Sequence, residues 1–264
     1  MTRTARDGTA YDRQGSGPVV ALIHGLGLNR AMWQWQIPAL RPHVAVLTYD
    51  LIGHGESAKP TGQPDLSTLS DQLARLLDDC AVERCAVVGF SLGGMIARRF
   101  ALDHPDRLTA LAILNSAHDR SAAERAAVLS RVEQVREHGP AATVEAALER
   151  WFTPAFRAAN PDVVDLIRQW VLANDPAVYP KLYRVLAEGD AEIATSIRDI
   201  ACPTLVLTAE DDSGNAPDMT RRMAAAIPGA EAVILPGLRH MALAEAPDRV
   251  NAPLVAFLRA ALKV

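Results

Sequence analysis

Gly89-Phe90-Ser91-Leu92-Gly93 lies between an apolar run, Cys85-Ala86-Val87-Val88, and a helix-patterned segment that opens at Leu92. So tight a turn between a strand and a helix leaves almost no space for side chains at its flanks, which is why glycines stand there. The central hydroxyl then projects above the sheet edge, with the amino end of the helix aimed at it. The pentapeptide by itself recurs in ordinary loops and caps. Its setting gives it meaning: a strand precedes it, and Gly94 supplies another small residue where helix and sheet must pack closely. Ala97, Phe100 and Ala101 then continue at helical spacing to His104-Pro105. Ser91 therefore reads as an exposed nucleophile rather than a structural turn residue.

Working outward, short apolar runs recur along the chain: Val19 to Ile23, Val44 to Tyr49, Ala86 to Val88, Leu111 to Leu114, Leu205 to Leu207 and Ala232 to Leu235. Bounded by Gly, Pro, Asp or Asn, they read as strands buried on both faces. Helical patterns lie between them: Leu66, Leu69, Leu73, Leu76 and Leu77 mark one, the segment after Ser91 another, Met219 to Ile227 a third and Val250 to Leu262 the last. This alternation predicts an α/β fold with a mostly parallel sheet covered by helices on both faces. Thr9-Ala10-Tyr11, with Gly15 and Gly17, predicts a small antiparallel hairpin ahead of it. From His118 to about Gly189 the alternation stops. That interval holds only helix-like pieces, separated by Gly139-Pro140, Thr153-Pro154, Asn160-Pro161 and Asp175-Pro176. The expected organisation is one domain, with core segments 1–117 and 190–264 and a helical lid, 118–189, inserted between the sixth and seventh core strands. Such a lid belongs over the carboxyl ends of the strands, where open α/β sheets bind ligands.

Composition narrows the function classes. The chain has 264 residues, 49% of them hydrophobic, and a net charge of −4 with both signs mixed throughout. It carries no basic stripe for a nucleic acid and no polybasic segment for anionic lipid, so a small-molecule partner is expected. No apolar signal opens the chain and no run is long enough to span a bilayer, which predicts a soluble, cytoplasmic protein acting as a monomer or homodimer. Cys80, Cys85 and Cys202 are odd in number and sit in or beside apolar segments, as reduced core thiols do. The seven histidines lack metal-ligand spacing, so neither a metal nor a cofactor is expected.

A serine hydroxyl needs a base to take its proton and a third group to hold that base in the right tautomer. Thr208-Ala209-Glu210-Asp211-Asp212 follows the Leu205 strand and offers three acids. Pro236-Gly237-Leu238-Arg239-His240 follows the last strand and places an imidazole at the same sheet edge. Charge developing on a substrate oxygen needs fixed donors. The Leu92 amide at the helix start is one. The glycines of His24-Gly25-Leu26-Gly27, directly after the Val19 strand, let the main chain aim the Leu26 amide inward as a second. His24 itself reads as a tie for that loop rather than a proton carrier.

From about Val19 onward the chain resembles the α/β hydrolases. The marks are the serine elbow, the His24-Gly25 loop, the order serine, acid, histidine, and His240 followed by Glu245-Ala246-Pro247. Asp50-Leu51-Ile52-Gly53-His54-Gly55-Glu56-Ser57 is similar to the turn after the fourth strand of that superfamily. The resemblance implies Asp212 as the histidine's partner, because the acidic loop is similar to a Gly-x-x-Asp motif with Ala209 in the glycine's place. Serine at position 91 argues against the branches that attack through aspartate, the haloalkane dehalogenases and epoxide hydrolases. Leu26-Gly27-Leu28-Asn29 with Met32-Trp33 resembles small carboxylesterases, and Trp151-Phe152-Thr153-Pro154-Ala155-Phe156 resembles the lid of 3-oxoadipate enol-lactonases. These likenesses imply a cofactor-free serine hydrolase that cleaves a small ester or lactone through an acyl-enzyme. Carbon–carbon hydrolysis of a meta-cleavage-type diketone is the alternative chemistry, and a small-ligand receptor on a hydrolase scaffold the alternative of another class. Trp33, Trp151, Phe152, Tyr179 and Met241 are candidate pocket walls, together with Trp170 and Tyr183. Arg150 and Arg184 are candidates for pairing with a substrate carboxylate.

Overall fold

The structure, a computed structural model, describes residues 2–264. An eight-stranded sheet runs through it: β1 (Arg3–Thr4), β2 (Ala10–Gln14), β3 (Val19–Ile23), β4 (Ala45–Tyr49), β5 (Cys85–Phe90), β6 (Leu108–Leu114), β7 (Thr204–Ala209) and β8 (Glu231–Leu235). Their spatial order is β1-β2-β4-β3-β5-β6-β7-β8. The β1–β2 and β2–β4 pairs are antiparallel, giving the expected opening hairpin, and every other pair is parallel. Strands β3, β4, β5 and β7 are buried along their whole length, as helices on both faces require. Strand β8 departs from that expectation. It is the sheet edge, with Glu231 and Ala232 exposed and Val233 and Ile234 half-buried, because only β7 pairs with it.

The helices cover the sheet for reasons visible in their residues. Helix Leu66–Asp79 opens on a capping box of Asp65 and Thr68, and its Leu66, Leu69, Leu73, Leu76 and Leu77 stripe is buried. The chain adds β4 on one flank of β3 and then returns to add β5 on the other. The loops leaving β3 and β5 therefore diverge at a point of strand-order reversal, the place where sheets of this kind open a crevice.

Between β6 and β7 the chain forms helices Ala122–His138, Ala141–Trp151, Pro154–Ala159, Pro161–Leu172 and Tyr179–Ile193. Their breaks fall where the sequence predicts: Pro154 and Pro161 open helices, where a missing N–H costs nothing. The last helix runs past Gly189 to Ile193. That glycine does not cap it but makes room for a neighbour, since a Cβ there would stand 2.8 Å from Leu66 Cδ1. The two ends of the excursion are clasped together. Arg120 N lies 2.8 Å from Asp190 Oδ2 and Arg120 Nη1 3.2 Å from Oδ1, with both side chains buried.

The elbow after β5 is the tightest point of the fold. Ser91 adopts φ 56 and ψ −115, a conformation L-residues rarely occupy, and its N–H donates to Leu114 O at 2.9 Å. A Cβ on Gly89 would lie 2.1 Å from Gly93 O, and one on Gly93 would lie 2.2 Å from Ile23 O. Gly93→Ala should therefore lower stability by about 1–3 kcal/mol or more through overpacking. Gly62→Ala, at a position with nothing within 4 Å, should stay within about 0.5 kcal/mol of wild type. Urea midpoints of the two variants check this.

Candidate active site

The carboxyl ends of β3, β5, β6, β7 and β8 bring five loops to one edge. Of the three acids after β7, Glu210 and Asp211 are exposed, and Asp212 turns inward and is buried. Its Oδ1 accepts the amides of Gly214 (3.2 Å) and Asn215 (3.1 Å), and its Oδ2 accepts Asn115 Nδ2 (2.9 Å) and His240 Nδ1 (2.7 Å). Asn215 Nδ2 adds longer bonds to both oxygens (3.3 and 3.4 Å), so five donors fix the position of this carboxylate. With Nδ1–H committed to Asp212, His240 keeps Nε2 as its basic atom. The imidazole sits beside the rings of Phe90 (centroids 4.8 Å apart) and Trp151 (5.9 Å). Met241 N donates to Trp151 O at 2.9 Å, tying the histidine loop to the helical insertion.

Ser91 and His240 line the same cavity. Among the described residues no hydrogen bond joins Ser91 Oγ to the imidazole. Gly25 presses against the serine, since a Cβ there would stand 3.2 Å from Ser91 Cβ. Neither the Leu26 nor the Leu92 amide has an acceptor among the described residues, which leaves two N–H donors free beside Ser91.

Two buried histidines brace the Leu26 loop. His24 donates from Nδ1 to Gly25 O (2.8 Å) and accepts Leu51 N at Nε2 (2.9 Å), and His54 Nε2 accepts Gly27 N (3.0 Å). His24 is thus the loop tie that the sequence implies. Asp50 anchors the same turn by accepting the Arg30 and Glu56 amides and the Arg30 guanidinium. Gly55 leaves room for that carboxylate, since a Cβ would lie 2.2 Å from Asp50 Oδ2.

Beneath the elbow, Ser116 Oγ donates to Ser91 O (2.8 Å), and Arg98 Nη2 donates to Ser116 Oγ (3.1 Å) and Ala117 O (2.6 Å). Arg98 is fully buried with no carboxylate in ion-pair range among the described residues, and burial lowers its pKa to about 9. Asn115, Asn215 and Ser116 escaped the sequence reading. Their one signal was position, since Asn115 and Ser116 directly follow the buried β6 run.

The cavity, about 100 Å³, is lined on the core side by Gly25, Leu26, Leu28, Phe90, Ser91 and Met241. Trp151, Tyr179, Tyr183 and Arg150 reach it from the insertion. Three expected walls do not. Trp33 is sealed in the core, and Phe152 is buried away from the cavity, stacked on Phe156 with centroids 5.2 Å apart. Trp170 packs against Trp35 instead, and Arg184 is exposed and paired with Glu188. No group of His, Cys, Asp and Glu among the described residues has the arrangement of a metal site, and none of their helices is long and apolar enough to cross a membrane. The three cysteines are free thiols, Cys85 pushed up to about 12 by burial.

A strained serine after β5, an acid after β7 and a histidine after β8, on a parallel sheet that reverses at β3, define an α/β hydrolase. Residues 18–247 match the alpha/beta hydrolase fold family, and the chain belongs to it. It is 30% identical over 248 residues to the (E)-2-((N-methylformamido)methylene)succinate hydrolase of Acinetobacter baylyi, covering 94% of this chain and 93% of that protein. It is 29% identical over 199 residues to 3-oxoadipate enol-lactonase 2 of the same organism, covering 75% and 73% respectively. The crystal structure of the enol-lactonase from Burkholderia xenovorans superposes with a TM-score of 0.89 at 29% identity, covering 98% of this chain and 99% of that one.

The buried histidines predict an acid-sensitive fold. Burial lowers His24 from 6.5 to about 4 and His54 from 6.5 to about 3, so below pH 6.5 the unfolded chain takes up protons that the native state refuses. Stability is complete above pH 6.5 and should fall as the pH drops towards 4, by up to about 1.4 kcal/mol per pH unit for each histidine. Urea midpoints between pH 7.5 and 4.5 check this. His54→Gln should be less stable at pH 7.5 and lose stability less steeply below 6.5.

Proposed function

We propose that this protein is a serine hydrolase that cleaves a small carboxylic ester or lactone through an acyl-enzyme, with Ser91 as nucleophile, His240 as base and Asp212 as its orienting partner. The observation that carries the reading is the 2.7 Å Asp212–His240 hydrogen bond at the edge of a cavity that also holds Ser91. Ser91 Oγ attacks the carbonyl carbon and His240 Nε2 takes its proton. The oxyanion is met by the free amides of Leu26 and Leu92, which need no rearrangement to receive it. As the C–O bond breaks, His240 returns the proton to the departing oxygen. It then deprotonates the water that releases the acid and restores the serine. In a lactone the departing oxygen stays tethered to the acyl group, and the product is a hydroxy acid or its keto form. The helices between β6 and β7 act as a lid whose Trp151, Tyr179 and Tyr183 shape the acyl pocket. A relative named as an enol-lactonase and a superposable enol-lactonase structure support this choice of bond.

A neutral short ester such as 4-nitrophenyl acetate tests the chemistry. Ser91→Ala should lower kcat by about 10⁴-fold or more, and Asp212→Asn by about 10⁴-fold, through loss of the correct imidazole tautomer. Both should keep the wild-type far-ultraviolet circular dichroism. Asn115→Ala, which removes one of five donors to Asp212, should cost about 10-fold. Turnover that survives in Ser91→Ala would remove the serine from the mechanism.

A further inference from the structure

Asn115, Ser116 and Ala117 follow β6 without a break, and each is tied to a different group. Asn115 Nδ2 donates to Asp212 Oδ2 at 2.9 Å, Ser116 Oγ donates to Ser91 O at 2.8 Å, and Ala117 O accepts Arg98 Nη2 at 2.6 Å. The segment therefore spans the gap between Ser91 and Asp212. It does so with Asn115 at φ 48, in the left-handed region that residues other than glycine seldom occupy, so its shape has to be held from outside. Arg98 does the holding. From the helix that follows Ser91, Leu92–Asp103, its Nη2 also reaches Ser116 Oγ at 3.1 Å, and its Nε bonds Gly94 O at 3.1 Å within that helix. Gly94 lets Ser116 sit directly against the helix, since a Cβ there would stand 2.5 Å from Ser116 Cβ. An arginine is otherwise unfavourable in this place. Arg98 is wholly buried, its Nη1 has no partner among the described residues, and Asp190 is taken by Arg120 and Arg125. A guanidinium stripped of water with no carboxylate beside it suits an interior less well than an apolar side chain of similar size. Its planar fork supplies what an apolar chain lacks, donors at fixed angles that grip two successive residues and the serine's own helix at once.

We propose that Arg98 is a positioning residue: by clamping Ser116 and Ala117 to the helix that follows Ser91, it fixes Asn115 and so sets the nucleophile against the Asp212–His240 pair. This rests on the serine-hydrolase reading for the roles of those three groups, and on the hydrogen bonds alone for the clamp. Arg98, Asn115, Ser116 and Ala117 all lie outside the lining of the cavity, so the clamp acts on the geometry of the reacting groups and not on contact with substrate. A displacement of about 1 Å among reacting groups costs about 100-fold in rate. Loss of the clamp should therefore appear in kcat and spare KM.

Kinetics and one spectrum of the intact protein test this. With 4-nitrophenyl acetate, Arg98→Met should lower kcat by about 100-fold and leave KM within about twofold of wild type. Arg98→Lys should recover part of the loss. Ser116→Ala, which keeps the guanidinium and removes only its link to Ser91 O, should lower kcat by about 10-fold. Arg99→Gln, on the same helix but paired with Asp103, should leave both constants unaltered. Arg98 and Asn115 act along one path, so the double variant Arg98→Met with Asn115→Ala should lose less than the product of the two single losses. The proton that His240 Nδ1 donates to Asp212 gives a low-field nuclear magnetic resonance that reports on that contact. It should move in Arg98→Met and stay in place in Arg99→Gln, a readout that needs no turnover. Should Arg98→Met fail to fold, Ser116→Ala carries the same expectations for kcat and KM. A wild-type kcat in Ser116→Ala, a loss confined to KM, losses that multiply in full with Asn115→Ala, or an unmoved resonance in Arg98→Met would each overturn the clamp. If the resonance moves in Arg98→Met while Ser91→Ala still turns over the ester, the serine reading fails and the clamp stands.

Discussion

Everything at the working edge of this sheet depends on how closely the helix after Ser91 meets the end of β3. Gly93 lies so near Ile23 O that no side chain fits between them, and Gly25 then lies against Ser91 itself. That approach sets the serine beside the loop carrying the free Leu26 amide and leaves the Leu92 amide as the first unpaired donor of its helix. Glycines at 89, 93 and 94 are consequences of packing distance, and the unusual Ser91 backbone is their cost.

The polar interior is organised by shared hydrogen bonds more than by ion pairs. Asp212 is satisfied by five donors from three loops, and His24 and His54 stay neutral so that they can accept main-chain amides. Arg98, without a carboxylate, spends its donors on Gly94 O, Ser116 Oγ and Ala117 O, and so holds the floor of the elbow from below. Each of these groups fixes a backbone segment, and Asp212 also fixes the side chains of Asn115 and His240. These segments are therefore held in fixed positions around the cavity that Ser91 lines.

Much of this was legible in the chain because it follows from local rules. Apolar runs between turn residues gave the buried strands, the leucine spacing of residues 66 to 77 gave a covering helix, and Gly89 to Gly93 gave the elbow. Ser91 and His240 are readable as strand-end residues from position alone, whereas among three neighbouring acids only resemblance singles out Asp212. The misses were long-range. Nothing local distinguishes Trp33 and Phe152, which are sealed in the core, from Trp151, which faces the cavity, since all are aromatic residues near helical turns. Asn115 and Asn215 matter only because separate strands end side by side. The exposed face of β8 followed from its edge position, which strand order sets and composition does not.

Arg120 and Asp190, gripping each other across seventy positions of chain, make the departure and the return of the helical excursion a single anchorage. Further ties run between the excursion and the strand-end loops: Met241 N donates to Trp151 O, Asn174 Nδ2 to Gly27 O and Thr153 N to Glu245. Evolutionary change in the excursion therefore carries over to the loops that hold Gly27 and Met241, and the two parts of the chain must vary together.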